Sequence, residues 1–278
     1  SVECAPGVQI FPMKTPTLPP ATHTNGVVLG LEELTLVDPG SGASGEIERL
    51  IGWLENRAEQ GRFLRRIFLT HHHMDHIGGV QALQEHFDVP VCGHPETARR
   101  LNGRVGVDEY VEHEDWIRLS EGWEVQALHT PGHAVGHLVL WDPHHRWMVA
   151  GDMVAGQGTI VIDPPEGDMA EYISQLKYMR SLGPRILIPA HGSFISSPDD
   201  LLSSYVAHRM ARENSIVALL EDNGPSRIDQ LVALIYKDLD PRAIPLAIRQ
   251  ILAHLLKLET EGGVKRSRGN LWGVKGTD

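Results

Sequence analysis

A concentrated set of histidine and aspartate side chains lies at residues 70–79, which read THHHMDHIGG. His71 and His73 are two residues apart, and Asp75 and His76 follow them closely. Imidazole nitrogens and carboxylate oxygens are ligands that suit zinc. A strand that leads into a tight loop could direct His71 and His73 at one ion, while Asp75 and His76 turn towards a point nearby. The pattern therefore predicts a metal site rather than a histidine-rich surface loop.

Three later segments each place one further candidate ligand just after an apolar stretch. These ligands are His133 in TPGH, Asp152 in AGD and His191 in PAHG. A single histidine after a strand is usually an ordinary loop residue. Four such loops in this order are hard to produce by chance, and together they predict one site built from the ends of strands.

The chain around these loops alternates between short apolar stretches and amphipathic segments. Residues 26–37 read as two strands around a turn, and apolar residues from Ile47 to Ala58 recur at helical spacing. Further strands are predicted at 67–69, 89–92, 125–129, 138–141, 147–150 and 186–188, and a helix at 169–182. Mixed strands and helices of this kind predict an α/β fold of packed layers.

The pattern and the charge both change near residue 200. Residues 201–278 carry 11 Lys and Arg against 9 Asp and Glu, a net charge of +2, whereas residues 1–200 carry 14 against 27, a net charge of −13. Helices are predicted at 201–222, at 226–236 and after Pro245, and two short strands flank Gly269-Asn270. Three helices closed by a β-hairpin are typical of a winged helix. We therefore divide the chain into a catalytic domain, residues 1–200, and a winged-helix domain, residues 201–278.

Composition limits the classes of protein to which the chain can belong. Of its 278 residues, 41% are hydrophobic and 22% are charged, which is typical of a globular protein. No apolar run approaches the roughly 20 residues of a membrane helix, and two cysteines cannot form a disulfide framework. The net charge of −11 disfavours non-specific binding to nucleic acid or anionic lipid. We expect a cytoplasmic protein that does not bind membranes.

Taken together, these motifs resemble those of the metallo-β-lactamase superfamily over roughly residues 20–195. The resemblance implies an αββα sandwich, with an active site for two metal ions at one edge between the sheets. It also implies roles for seven residues. His71, His73 and His133 would bind the first ion, Asp75, His76 and His191 the second, and Asp152 both. Zinc is the expected metal, although iron or manganese can occupy similar sites.

The two metal ions would define the chemistry. Ions a few ångströms apart can share a hydroxide and lower its pKa towards neutrality, and that hydroxide would attack a carbonyl carbon or phosphorus. Asp75 and Asp152 are the expected catalytic residues. Asp38, in the segment VDPG, either orients a ligand histidine or is a plain turn residue. We expect His137 to support its loop and His72 to point away from the ions.

Within the superfamily, the sequence resembles glyoxalase II and its relatives that cleave thioesters and esters. It has Asp152 where some β-lactamases carry a cysteine ligand, and His73 where the oxygen-reducing di-iron branch carries a glutamate. The resemblance extends to a two-domain group with a C-terminal winged helix, on the stretches Pro164–Asp168, Tyr205–Arg212 and His254–Gly263. That group includes acyl-carrier-protein thioesterases of polyketide pathways and an RNA-cleaving branch.

We therefore expect a hydrolase that cleaves a thioester or activated ester in a small-molecule or carrier-bound acyl substrate. A metal-dependent endoribonuclease or phosphodiesterase is the main alternative, followed by a lactonase or a β-lactamase. The negative charge of residues 1–200 disfavours a nucleic acid substrate, although a basic C-terminal domain at the entrance would weaken that objection. The winged helix could bind DNA, but we expect it to shape the entrance or to mediate contact in a homodimer.

Three residues on the first helix of the C-terminal domain are candidates for substrate binding. They are His208, Arg209 and Arg212, and the first and last are four residues apart, on one face of the helix. In the two-domain group this helix lies near the mouth of the site, so an arginine there could bind a carboxylate or phosphate of the substrate. The alternative is that these residues form salt bridges to the acidic catalytic domain.

Overall fold

Two β-sheets form the centre of the computed structural model, which describes residues 1–276. The first sheet has seven strands that neighbour one another in chain order, β1 to β7. They span Val2–Ala5, Val8–Lys14, His23–Leu29, Glu33–Val37, Phe63–Phe68, Val91–Gly93 and Glu109–Tyr110. β1 to β4 pair antiparallel, whereas β4 to β7 pair parallel. The carboxyl ends of β4 and β5 therefore lie at the same edge of the sheet.

The second sheet has five strands in the order β12, β11, β10, β9 and β8. From β8 to β12 they span Trp116–Ser120, Trp123–His129, Leu138–Asp142, Trp147–Gly151 and Ile186–Pro189. β8 to β11 pair antiparallel, and β11 pairs parallel with β12. Because β9, β11 and β12 run in the same direction, their carboxyl ends also lie at one edge.

The two sheets pack face to face and are covered by helices on both outer faces. Leu138 and Leu140 of β10 point into the core between the sheets with Val27 of β3, whereas Val139 points into the outer core. The helices of this part of the chain are α1 (Ser44–Ala58), α2 (Met74–Ile77), α3 (Val80–Phe87), α4 (Pro95–Leu101) and α5 (Met169–Ser181). α1 and α3 cover the first sheet and α5 covers the second. The predicted αββα sandwich is confirmed.

Helix α6, Pro198–Asn223, takes part in two separate hydrophobic cores. Leu202 packs in the core that covers the second sheet, whereas Ile216 and Leu220 pack in a C-terminal core. That core is completed by α7 (Ile228–Ile235), α8 (Ile244–Thr260) and the hairpin of β13 (Val264–Ser267) and β14 (Leu271–Val274). These elements form the predicted winged helix. The division at residue 200 stays a prediction, because α6 runs through that position without a break.

Strand β2 is the main element that the sequence pattern does not predict. Pro12 lies in its middle, and proline removes a donor from the hydrogen-bond ladder, so the pattern disfavours a strand. In the structure β2 pairs with β3 along its whole length. Val8 and Ile10 point into the core between the sheets, and Phe11 and Met13 into the core under α1. Burial on both faces therefore outweighs the lost donor.

The helices of residues 1–276 include none that is both long and apolar enough to span a membrane.

The C-terminal core gives a first testable prediction. Ile251 of α8 is fully buried there, so Ile251→Ala should lower the free energy of unfolding by about 2–5 kcal/mol, because a cavity remains. Ile244→Ala is the control, since Ile244 lies on the same helix and is 40% exposed. It should cost less than about 1 kcal/mol. Urea unfolding followed by circular dichroism measures both, and equal losses in the two variants would contradict this placement of α8.

Candidate metal centre

Five of the predicted ligands lie in loops at one edge of the sandwich, and Asp75 and His76 lie in the short helix α2. His71, His73, Asp75 and His76 follow β5, His133 follows β9, Asp152 follows β11 and His191 follows β12. The carboxyl ends of these strands bring side chains of the two sheets together. The rings of His71 and His133, for example, are 5.0 Å apart between their centroids. The structure thus collects all seven candidates in one place.

His71, His73 and His133 form a first cluster of ring nitrogens. Nε2 of His71 and Nε2 of His133 lie 2.9 and 3.0 Å from Nδ1 of His73. Burial, together with the charges of the neighbouring imidazoles, holds the pKa of His71 well below its ordinary value and lowers the pKa of His73 to about 3. Neutral imidazoles keep a ring lone pair available for a cation.

Asp75, His76 and His191 form a second cluster next to the first. Nε2 of His191 lies 3.5 Å from Oδ2 of Asp75, and Nε2 of His76 lies 3.9 Å from Oδ1. The hydroxyl of Thr17 donates to Oδ2 of Asp75 at 2.6 Å and so fixes this carboxylate. The rings of His76 and His71 are 4.0 Å apart between centroids, which places the two clusters side by side.

Asp152 lies between the two clusters. Its Oδ2 is 3.5 Å from Nε2 of both His76 and His133, and its Oδ1 is 3.4 Å from Nε2 of His191. Burial alone would raise the pKa of Asp152, but the imidazoles of His76 and His191 hold it well below its ordinary value. A buried carboxylate that stays charged between two clusters is suited to bridge two cations.

The donor atoms of this centre fit metal ions in two respects. Nε2 of His76 and Oδ1 of Asp152 are buried and have no hydrogen-bond partner within residues 1–276, and such atoms are uncommon unless they serve a purpose. The contacts of Asp152 also have suitable lengths. Ligands of a tetrahedral ion bound at about 2.1 Å lie about 3.4 Å apart, and the contacts of Asp152 measure 3.4–3.5 Å.

Asp38 fixes His76 and the start of the histidine-rich loop. Its Oδ2 lies 2.8 Å from Nδ1 of His76. Thr70 donates two hydrogen bonds to the Asp38 carboxylate, from its backbone N–H to Oδ1 at 2.8 Å and from its hydroxyl to Oδ2 at 2.5 Å. Burial alone would lower the pKa of His76, but the carboxylates of Asp152 and Asp38 raise it well above its ordinary value. Of the two interpretations of Asp38, the structure supports orientation of a histidine, His76.

Backbone carbonyls set the tautomers of two further rings. Nδ1 of His133 lies 2.7 Å from the carbonyl oxygen of Val161, and Nδ1 of His191 lies 3.0 Å from that of His23. Since a carbonyl only accepts hydrogen bonds, each Nδ1 carries the proton. In the neutral form of each ring, Nε2 then carries the lone pair that can bind a metal ion.

Two other histidines near the centre have supporting positions. Nε2 of His137 accepts the backbone N–H of Asp152 at 3.1 Å, so His137 holds the loop that carries this carboxylate. His72 contacts Glu166, with 3.2 Å between its Nε2 and Oε1 of the carboxylate. The placement of His137 agrees with the expectation from the sequence, whereas the orientation expected for His72 stays a prediction.

Glu166 is a residue that sequence reasoning did not single out. Its Oε2 lies 4.0 Å from Nε2 of His73 and 4.0 Å from Nη1 of Arg100. Burial alone would raise the pKa of Glu166, but His72 and then His73 and Arg100 hold it below its ordinary value. Its signal in the sequence was its place in the stretch Pro164–Asp168, which resembles the two-domain group. Glu166 is the carboxylate that faces the outer nitrogen of His73.

The clusters open into a cleft of about 780 Å³. Its apolar lining includes Pro16, Leu18, Pro19, Pro20, Met74, Ile160 and Leu246. Helix α8 also contributes Arg249, which donates to the carboxylate of Asp163 and to the carbonyl oxygen of Pro164. The C-terminal domain therefore shapes the entrance of the cleft. Arg249, one of the few cations of the third helix of that domain, is paired with residues of the chain itself.

The three predicted substrate residues line a different cavity. His208, Arg209 and Arg212 face a space of about 570 Å³ beside the cleft, and Gly158 and Thr159 line both. None of the three forms an ion pair with a carboxylate of residues 1–276. The alternative of salt bridges to the catalytic domain is therefore wrong.

Arg209 connects the two domains by hydrogen bonds instead. It is 5% exposed, Nη1 donates to Oε1 of Gln250 at 3.0 Å, and Nη2 donates to the carbonyl oxygen of Ile160 at 2.7 Å. Ile160 precedes Val161, whose carbonyl oxygen holds the ring of His133. Arg209 thus stabilises the wall between the cleft and the neighbouring cavity.

Comparisons with known proteins agree with this architecture. Residues 20–191 match the model of a family described as the metallo-beta-lactamase superfamily, and residues 228–272 match a beta-lactamase associated winged helix domain. A beta-lactamase-like protein 2 homolog of Drosophila melanogaster is 29% identical over 219 residues, which are 73% of this chain and 70% of the relative. An atrochrysone carboxyl ACP thioesterase of Aspergillus chevalieri is 28% identical over 262 residues, 88% of this chain and 80% of the relative.

A solved structure shares the fold of nearly the whole chain. The beta-lactamase domain protein from Burkholderia ambifaria superposes with a TM-score of 0.86 at 21% identity, and covers 98% of this chain and 93% of its own. The family match spans more than half of the sequence and includes all seven residues that the structure brings together. The chain belongs to the metallo-β-lactamase superfamily of hydrolases and carries the winged-helix domain associated with it.

Proposed function

We propose that the protein hydrolyses acyl thioesters or activated esters with two bound metal ions, for which zinc is the expected metal. His71, His73 and His133 would hold one ion, Asp75, His76 and His191 the other, and Asp152 both. One observation carries the proposal. The Asp152 carboxylate is buried and lies within 3.5 Å of imidazoles from both clusters.

Several residues of the chain would contribute to hydrolysis. When bound, the metal ions would polarise the substrate carbonyl and make a water molecule nucleophilic at neutral pH. Asp75 lies in the wall of the cleft, where Thr17 fixes it, and can accept a proton from the attacking water. Asp38 and the carbonyl oxygen of Val161 keep the rings of His76 and His133 in place.

The lining of the cleft favours an acyl substrate over a polyanion. It contains two arginines, and both already face carboxylates, Arg100 at 4.0 Å from Glu166 and Arg249 in contact with Asp163. A nucleic acid backbone would need such cations to be available. The apolar side of the cleft includes Leu18, which is 58% exposed and could pack against an acyl chain. The similarity to a carboxyl ACP thioesterase supports a carrier-bound substrate.

The metal content is the first test. Protein purified without chelator and supplemented with zinc should contain about two metal ions per chain by elemental analysis. The double variant His71→Ala and His73→Ala should contain about one, because it removes two ligands of the same ion. His86→Ala is the control, since His86 lies on the surface beside Glu55 and should not matter. A content near zero in the supplemented wild type would refute the proposal.

The role of Asp38 is tested by metal affinity. Asp38→Ala removes the partner of Nδ1 of His76, so the Kd for zinc should rise about 10- to 100-fold. Competition with a chromogenic chelator measures this change. Asp229→Ala, which removes a surface carboxylate paired with Arg227, should leave the Kd unaltered. An unchanged affinity in Asp38→Ala would mean that this carboxylate is a turn residue only.

The bridging role of Asp152 is tested by hydrolysis. Asp152→Ala should lose nearly all turnover and bind at least one metal ion more weakly, because the shared carboxylate is gone. Asp199→Ala is a matched control that removes an exposed aspartate paired with Arg180, and it should retain wild-type kcat. Wild-type turnover in Asp152→Ala would contradict the two-metal arrangement.

The substrate class is tested by one parallel panel. It contains acyl thioesters of N-acetylcysteamine, lactones, a β-lactam, bis(p-nitrophenyl) phosphate and single-stranded RNA. The thioesters should give the highest kcat/KM, because their acyl groups match the apolar lining of the cleft. Strong RNA cleavage that is lost in Asp152→Ala, together with no thioester turnover, would replace this function with that of a metal-dependent ribonuclease.

A further inference from the structure

The cavity beside the cleft has no role in the chemistry proposed above. It has a volume of about 570 Å³ and lies between α6, α8 and the segment that contains Gly158 and Thr159. Because these two residues also line the cleft, an elongated substrate could extend from one space into the other. The residues that line this cavity therefore indicate which chemical group the far end of such a substrate would have.

The wall of this cavity is cationic in an acidic protein. Its lining includes Thr159, His208, Arg209, Arg212, Gln250 and His254. Within the described part of the chain, no Asp or Glu lines the cavity. The whole sequence, by contrast, has a net charge of −11. Two guanidinium groups line it, and the nearby carboxylate of Glu213, which contacts the lining residue His254, is also paired with Lys257. The two arginines therefore favour an anion in the cavity.

Arg212 is held in place without the loss of its donors. Its guanidinium carbon lies 4.5 Å from the centroid of the Tyr236 ring, and stacking of this kind leaves the N–H groups at the edge of the guanidinium available. It has no ion-pair partner among the residues that the structure describes. Arg212 is therefore oriented and able to donate to a ligand.

Two neighbours add further donors. The side-chain nitrogen of Gln250 is buried and lacks a hydrogen-bond partner in residues 1–276, while its Oε1 accepts from Arg209. Burial, and then the charges of Arg209 and Arg212, lower the pKa of His208. The imidazole of His208 offers an N–H whether it is neutral or protonated. Three separate donors around one space suit the several oxygens of a phosphate better than a planar carboxylate.

We propose that this cavity binds a phosphate group of the substrate, with Arg212 as its main ligand and Gln250 and His208 as further donors. The identity of the substrate as a phosphorylated thioester rests on the proposed function, whereas the binding of a phosphate does not. A thioester linked through a pantetheine arm to a phosphate would place its reacting carbonyl in the cleft and its charged end here.

A matched pair of probes tests the binding directly. Isothermal titration calorimetry compares 4′-phosphopantetheine with pantetheine on the metal-loaded protein. The two differ only in the phosphate, so any contact of the shared thiol with metal ions cancels. The phosphorylated compound should bind more tightly, and Arg212→Ala should weaken it by roughly 10- to 100-fold, since a hydrogen bond to a charged group contributes this much. The affinity for pantetheine should not change.

Two variants control for folding and for net charge. Arg242→Ala removes an arginine of the same domain whose side chain is 91% exposed, and it should bind 4′-phosphopantetheine like the wild type. Arg212→Lys should restore part of the affinity, because it keeps the charge but not the fork of donors. An unchanged Tm in Arg212→Ala separates a lost contact from a damaged fold.

Kinetics separates this proposal from the function proposed above. With the same acyl group on both carriers, Arg212→Ala should raise the KM of the 4′-phosphopantetheine thioester about tenfold or more and leave its kcat unaltered. The pantetheine thioester should show no change. If neither thioester is hydrolysed but the difference in binding persists, the proposed function fails and the phosphate site stands. If both are hydrolysed and Arg212→Ala binds both probes like the wild type, the phosphate site is refuted.

Discussion

The buried charge of Asp152 is the interaction on which the rest of the centre depends. A carboxylate inside a protein costs several kcal/mol unless it is paired and hydrogen-bonded. Here imidazoles of both clusters supply the compensation, at 3.4–3.5 Å. The same crowding leaves one oxygen of Asp152 and Nε2 of His76 without a hydrogen-bond partner in the described chain. The atoms that are hardest to satisfy within the protein are therefore the ones best placed to hold metal ions.

The sandwich makes this arrangement possible because it brings the carboxyl ends of the strands that precede the ligands to one edge. Each segment that carries ligands follows a strand whose side chains fill one of three apolar cores. The rings are then fixed through their Nδ1 atoms, by Asp38 for His76 and by backbone carbonyls for His133 and His191. Since each carbonyl can only accept, the fold sets the tautomer of a ring as well as its position.

The C-terminal domain is joined to the centre by contacts that act on the same loop. Arg209 holds the carbonyl oxygen of Ile160, and the next carbonyl along the chain, that of Val161, holds His133. Arg249 holds Asp163 and Pro164 a few residues further on. Because α6 continues from one core into the other, these contacts link two domains that share a helix. The winged helix of this protein thus forms part of the wall of the cleft.

The sequence by itself determined the features that local pattern encodes. Residues close together in the sequence determine the order of ligand motifs, the alternation of strands with helices, and the three helices before a hairpin. The family, the αββα sandwich and the winged helix could therefore be predicted. Strand β2 could not, because Pro12 argues locally against a strand that burial on both faces stabilises. Tertiary structure alone decided that Glu166 faces His73 and that Arg212 lies over Tyr236 in a second cavity. Such contacts join residues from different elements, and their spacing along the chain carries no record of the packing that brings them together.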